Sequence, residues 1–310
     1  MSTTRYATPL STTLKVPGAV LHYQVQGAGP VLLLSQSGEG DADRTVDLVP
    51  HLAEAYTVVT YDRRGLSRSR LDEPQRTATL AEHADDVGHI LAAVTDEPAL
   101  MLGCSFGAVV GLHAALRHPG LIRTLVAHEP VAPRLLPDAE RRAHERELTE
   151  IVELYKAEGL RAALPEIARS VGIDPSGKDA ERGLTPQPLD AGRIANFDRF
   201  IRHDFATILD DTLDPGRIAS LGPAGTRVVP AAGLTTPRTV FDYRCAESLA
   251  ELTGSECQLL PGGHNGNTSH PRAYAARLRQ ILETETETET ETAVAVAAET
   301  EVAAETEVGA

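Results

Sequence analysis

Short, fully apolar runs alternate with longer amphipathic stretches along most of this chain. VLLL (31–34), TVVTYD (57–62), ALMLG (99–103) and TLVAHEP (124–130) come first, and TRVVPAAG (226–233) and CQLLPGGH (257–264) follow after a gap. Runs of that length, bounded by glycine, proline or polar residues, read as strands buried on both faces. The stretches between them read as helices, so the pattern predicts an α/β fold with a mostly parallel central sheet flanked by helices. LKVPGAVLHYQVQG (14–27) predicts an opening hairpin that turns at Pro17-Gly18, and a last helix is expected from about Pro271 to Leu282.

The gap between the fourth and fifth runs has another character. Residues 131–215 are charged and helix-like, and the prolines and glycines around Asp174-Pro175, Pro186 and Pro188 break them into three or four pieces. A helical insertion between two strands predicts a cap over a pocket. The expected organisation is therefore a core in two parts, 1–130 and 216–282, with the cap at 131–215 and a tail at 283–310. The tail, an acidic Thr-Glu repeat running into AVAVAAETEVAAETEVGA, cannot build a core and is expected to be disordered.

Composition narrows the function classes. A chain of 310 residues can bury one substantial core with an inserted lid. It has no run of about 18 apolar residues, which excludes a membrane-spanning helix. The opening MSTTRYATPLSTTLKVPG lacks the hydrophobic stretch of a secretory signal. Cys104, Cys245 and Cys257 are too scattered for a disulfide framework, so reduced thiols and a cytoplasmic location are expected. Taking the nine glutamates of the tail out of the net charge of −15 leaves −6 for the body, which argues against a nucleic-acid partner. No metal constellation, dinucleotide fingerprint or phosphate loop is visible, so neither a cofactor nor a metal is expected.

The strongest chemical signal is Gly103-Cys104-Ser105-Phe106-Gly107. The apolar run ALML precedes it, and the amphipathic AVVGLHAALRH follows, stopped by Pro119. A strand that turns this sharply into a helix strains the serine backbone and lifts its hydroxyl above the sheet edge. Glycine at 103 and 107 is then needed because side chains there would collide where helix and strand close together.

With YDRRGLSRS (61–69) at the end of the run TVVTYD and PGGHNG (261–266) after the last, residues 14–282 resemble the α/β-hydrolase superfamily, serine first and histidine last. The resemblance implies that Ser105 is a nucleophile and His264, in a glycine-rich loop beyond the final strand, its base. It implies two backbone donors for a developing oxyanion, the amides of Phe106 and Gly38. Gln36 and Ser37 depart from the family's usual oxyanion-loop residues, and Gln36 is a candidate substrate contact. YDRRG is expected to be structural, with Asp62 and Arg63 holding the loop beside the nucleophile. His22 and His128, in or beside strands, receive no role.

One member of the set is missing. Where the family places an aspartate to orient the histidine, after TRVVPAAG, this chain has Thr235. A threonine hydroxyl accepts an N–H but cannot offset imidazolium charge. Glu129, at the end of TLVAHEP, and Asp242, in FDYRC, are the replacements to consider. Phe197, Phe200 and Phe205 recur near helical spacing, which suits either a substrate wall or packing of cap against core. The leading expectation is a serine-dependent hydrolase of an ester, lactone or related acyl bond in a small, largely apolar molecule. The missing acid and the altered Gln36-Ser37 loop motivate an alternative, a cofactor-free non-hydrolytic enzyme on the same fold; a catalytically silent binding protein is a third.

Overall fold

The computed structural model describes residues 6–174 and 178–283. Their centre is a sheet in the order β1-β2-β4-β3-β6-β7-β8-β9, with the short β5 (Arg70–Leu71) pairing β2 at its edge. Strand β1 (Tyr6–Val16) and β2 (Ala19–Gly27) form the expected hairpin through Pro17-Gly18, although β1 starts earlier than the apolar pattern suggested. Ser11, Thr12 and Thr13 pair with β2 without apolar side chains of their own, so hydropathy gave no sign of them.

The remaining strands are β3 (Val31–Ser35), β4 (Thr57–Tyr61), β6 (Ala99–Cys104), β7 (Ile122–His128), β8 (Arg227–Gly233) and β9 (Gln258–Leu260). From β4 to β9 every neighbour runs parallel. All six residues of β6 are buried, as a strand with helices on both faces requires. One layer of core packs Val59, Met101 and Leu125 with the helices Leu80–Val94 and Phe106–Arg117. The other packs Leu32, Leu102 and Val126 against the helix over 271–283 through Tyr274 and Leu278.

Between β7 and β8 the chain leaves the sheet. Helices Asp138–Glu158, Leu160–Ser170 and Ala191–Arg199 run into a π-helical turn, Phe200–Asp204, and then Phe205–Leu209 and Pro215–Ala219. The first of these buries only His144, Leu148, Ile151 and Tyr155, a single stripe at helical spacing. Leu148, Ile151, Phe200 and Phe205 join the same core as the strands, so the insertion is packed onto the sheet. Among the described residues no helix is long and apolar enough to cross a membrane. The tail beyond Glu283 lies outside the described residues.

Candidate active site

Strand β6 delivers Ser105 to its C-terminal edge, and the helix Phe106–Arg117 starts at the next residue. Ser105 has φ 53° and ψ −116°, a conformation L side chains rarely adopt. The strain is held by packing that only glycine permits. A Cβ on Gly103 would lie 2.6 Å from the Ala108 Cα, and one on Gly107 would lie 2.1 Å from the Ser35 carbonyl oxygen. These are backbone atoms, so neither neighbour can move aside.

Strand β7 ends at a second strained residue. Glu129 has φ 43°, and its amide donates to the Ala231 carbonyl at 2.9 Å. This bend turns the side chain along the sheet edge toward the loop after β9, which carries His264. Glu129 Oε2 and His264 Nδ1 are 2.6 Å apart, and the Gly233 amide donates to Glu129 Oε1 at 2.7 Å. Both oxygens of a fully buried carboxylate thus have partners. Burial works to raise the Glu129 pKa, but the bond to His264, the His264 and His128 charges and the Gly233 amide hold it down at about 2. For His264 burial acts to lower the pKa, and the bond and charge of Glu129, with Asp242 and Glu39 beyond, outweigh it and raise it. With Nδ1 on Glu129, Nε2 is the ring nitrogen left for other chemistry.

Ser105 and His264 line one cavity of about 340 Å³, in the range of small-molecule sites. Ser37, Gly38 and Glu39 form its rim on the β3 side. The insertion supplies the apolar wall, including Leu148, Leu164, Ile167 and Leu189. Asp242 and His144 are among its buried polar members, and Asp242 Oδ2 lies 4.0 Å from His264 Nδ1.

Comparison with known proteins agrees with this architecture. Residues 30–148 match the family model described as alpha/beta hydrolase fold. A Bacillus subtilis (strain 168) protein named uncharacterized hydrolase YraK is 35% identical over 271 residues, covering 87% of this chain and 95% of that one. The chain belongs to the α/β-hydrolase fold family. It is a hydrolase. A solved hydrolase from Pseudomonas aeruginosa PA01 superposes with a TM-score of 0.66 at 25% identity, covering 88% of this chain and 98% of its own. An α/β hydrolase from Sphaerobacter thermophilus DSM 20745, at 22% identity, shares the fold with a TM-score of 0.64 over 87% of this chain and all (100%) of its own.

Within this α/β-hydrolase fold the other residues singled out from sequence separate cleanly. Thr235 is exposed and donates its hydroxyl to Asp179 at 2.8 Å, so it does not face His264. Phe197, Phe200 and Phe205 all line the cavity, and Phe200 and Phe205 also pack in the core, so wall and packing are one role there. Phe200 lies directly over Gly38, where an added Cβ would fall 2.2 Å from its ring. Gln36 is a correction: it does not reach the cavity. Its amide nitrogen donates to Thr45 Oγ1 at 2.9 Å and its oxygen accepts from Asn267 at 3.3 Å, which fixes the side chain behind the loop.

The YDRRG segment explains the shape of that loop. Arg63 is 1% exposed and donates to the carbonyls of Gln36 at 3.3 Å, Ser37 at 2.7 Å and Gly38. In a trans peptide the N–H points opposite to the preceding C=O. Drawing these carbonyls to Arg63 therefore turns the amides of Ser37, Gly38 and Glu39 the other way, and those residues line the cavity. Asp204, from the π-helical turn, balances the guanidinium at 3.2 Å, and Phe106 stacks beneath it at 4.7 Å. Sequence reasoning did not single out Asp204 or His144. His144 had one visible signal, a lone histidine on the apolar stripe of Asp138–Glu158.

Proposed function

We propose that this hydrolase uses Ser105 to cleave an ester, lactone or related acyl bond in a small, largely apolar molecule. The observation that carries the reading is the 2.6 Å contact of Glu129 with His264, on a histidine that shares its cavity with a serine held at positive φ. His264 Nε2 takes the hydroxyl proton as Ser105 Oγ attacks the acyl carbon. The carbonyl oxygen becomes an oxyanion, met by the Phe106 amide at the unpaired N-terminus of its helix and by the Gly38 amide turned inward by Arg63. His264 returns the proton to the departing alcohol, and the acyl group stays on Ser105. Water, deprotonated by the same imidazole, then releases the acid and regenerates the hydroxyl. Glu129 stays ionised throughout; it fixes the ring and stabilises the imidazolium.

Residues 131–215 act as the cap that walls this chemistry from water and selects the substrate by shape. The two sequence departures that pointed toward a non-hydrolytic catalyst lose their force here, since a carboxylate does meet His264 and Gln36 is turned away. The test is labelling with a fluorophosphonate probe. The wild-type chain labels stoichiometrically, Ser105→Ala labels not at all, and ester turnover is lost with it. Labelling that persists in Ser105→Ala refutes the assignment.

A further inference from the structure

Among the polar side chains that line the cavity and that the acyl-transfer steps do not use, Asp242 and His144 lie against one another. Asp242 stands at the start of the helix Phe241–Thr253, and His144 on the insertion helix Asp138–Glu158. Each is 2% exposed, and each lines the cavity. His144 Nε2 and Asp242 Oδ1 face one another at 3.4 Å. The other two atoms, Asp242 Oδ2 and His144 Nδ1, are buried without a hydrogen-bond partner. A buried polar atom is ordinarily paired, so two orphans on neighbouring residues that both line one cavity point to an occupant. The imidazole is also held in place: it stacks on Phe241 at 5.0 Å with the planes 15° apart.

We propose that Asp242 and His144 form a polar subsite that binds an uncharged hydroxyl group of the substrate, in an otherwise apolar cavity. The inference rests on the serine-hydrolase reading above and adds the chemical class of what is hydrolysed: a hydroxylated aromatic or alicyclic ester or lactone.

The chemistry of the pair fits a neutral hydroxyl. Burial pushes the Asp242 carboxyl up to about 7, with His264 opposing and Glu129 and Glu147 adding to the rise. Burial lowers His144 to about 3, so its ring is neutral. A protonated Asp242 offers a donor and a neutral imidazole offers an acceptor, and a hydroxyl has both complements. A carboxylate in the substrate would lie near the ionised Glu129 behind His264 and would have to shed its hydration. An ammonium would have to shed its hydration among Leu148, Ile167 and Phe205.

The experiment uses esters that carry a phenolic hydroxyl on the acyl or the alcohol half, each paired with its deoxy and its aminomethyl counterpart. Turnover is compared as kcat/KM, and pairs too slow to follow are compared by how well they protect Ser105 from the fluorophosphonate. For wild type, the best-placed hydroxyl is expected to favour its ester over the deoxy partner at least about tenfold, because a site built for a hydroxyl is left unpaired without it. Asp242→Leu is expected to bring that ratio to within about twofold of unity, and His144→Phe, which keeps the stack on Phe241, to lower it as well. The ratio reports recognition even where a variant changes the absolute rate. A wild-type ratio near unity across the panel, a preference for the aminomethyl esters, or a ratio untouched in both variants overturns the subsite while leaving the serine mechanism standing. Failure of the serine mechanism itself shows separately, as wild-type protein that the fluorophosphonate does not label.

Discussion

The edge of the sheet and the insertion above it place polar groups in opposite ways. At the edge, Ser105 and Glu129 are held at positive φ by backbone contacts, and both Glu129 oxygens have partners. Across the cavity, His144 rides on a helix of ordinary geometry and leaves Nδ1 unpaired, as Asp242 leaves Oδ2. The first arrangement is complete without a ligand. The second is complete only with one. Strain and full satisfaction mark groups that must not move during the reaction, and unsatisfied groups mark where something else is to be held.

The largest test of that contrast exchanges the two carboxylates. Glu129→Gln keeps the shape and removes the charge on His264, and kcat should fall by roughly ten-thousandfold, as when the acid of a serine triad is replaced by its amide. Asp242→Asn should lower kcat for a plain deoxy ester by less than about tenfold, since its carboxyl is 4.0 Å from Nδ1 and is half protonated near neutral pH. Steady-state kinetics on one such ester decides. Equal losses in the two variants would mean that the distinction between a fixed and a receptive carboxylate is wrong.

The sequence exposed these two regions unequally, for a physical reason. The elbow is local: strand, glycine, serine, glycine and helix lie within a few residues, and the steric demand that selects Gly103 and Gly107 is legible in the spacing. Glu129 was half legible. Its place at the end of β7 was clear, but choosing it over Asp242 needed the bend at φ 43° and the Gly233 amide, 104 positions away in sequence. The Arg63–Asp204 pair spans 141 positions and depends on a π-helical turn that no periodicity announces. Gln36 misled because a polar residue in a loop beside a nucleophile suggests a ligand contact, whereas Thr45 and Asn267 hold it from behind.

Arg63 gives the next effect. Arg63→Met removes the donor that draws the Gln36, Ser37 and Gly38 carbonyls away from the cavity. With a donor to the oxyanion misplaced, kcat should fall about a hundredfold with little change in KM. Asp204 would be left buried with only His83, at 3.7 Å, beside it, a loss read as a lower denaturant midpoint. A rise in KM with kcat intact would instead place Arg63 in substrate binding. Gly107→Ala should act through packing alone: its Cβ meets the Ser35 carbonyl oxygen at 2.1 Å and the Gln36 oxygen at 2.6 Å. Overpacking of this kind costs about 1–3 kcal/mol, visible as a Tm lowered by several degrees. An unchanged Tm would show that the helix start and the β3 loop can part at no cost, and the strained edge would then not be rigid.

The smallest effect is a shift in a pH profile, and it separates the two carboxylates by sign and order. The base must be neutral to accept the serine proton, so activity falls on the acid side as His264 becomes protonated. Burial alone would move that fall to lower pH than for a free histidine, but Glu129 first, and Asp242 and Glu39 after it, raise the His264 pKa, so the wild-type acid limb lies above the ordinary histidine value. Glu129→Gln removes the dominant raising influence, leaves burial to prevail, and moves the limb to lower pH. Asp242→Asn removes a weaker one, and only the ionised part of it, since that carboxyl itself titrates near 7. Its limb should move the same way by less. The pH dependence of kcat/KM on an uncharged ester measures both. If Asp242→Asn moved the limb further than Glu129→Gln, the 2.6 Å contact would not be what governs the charge of His264, and the ordering of the two regions would be reversed.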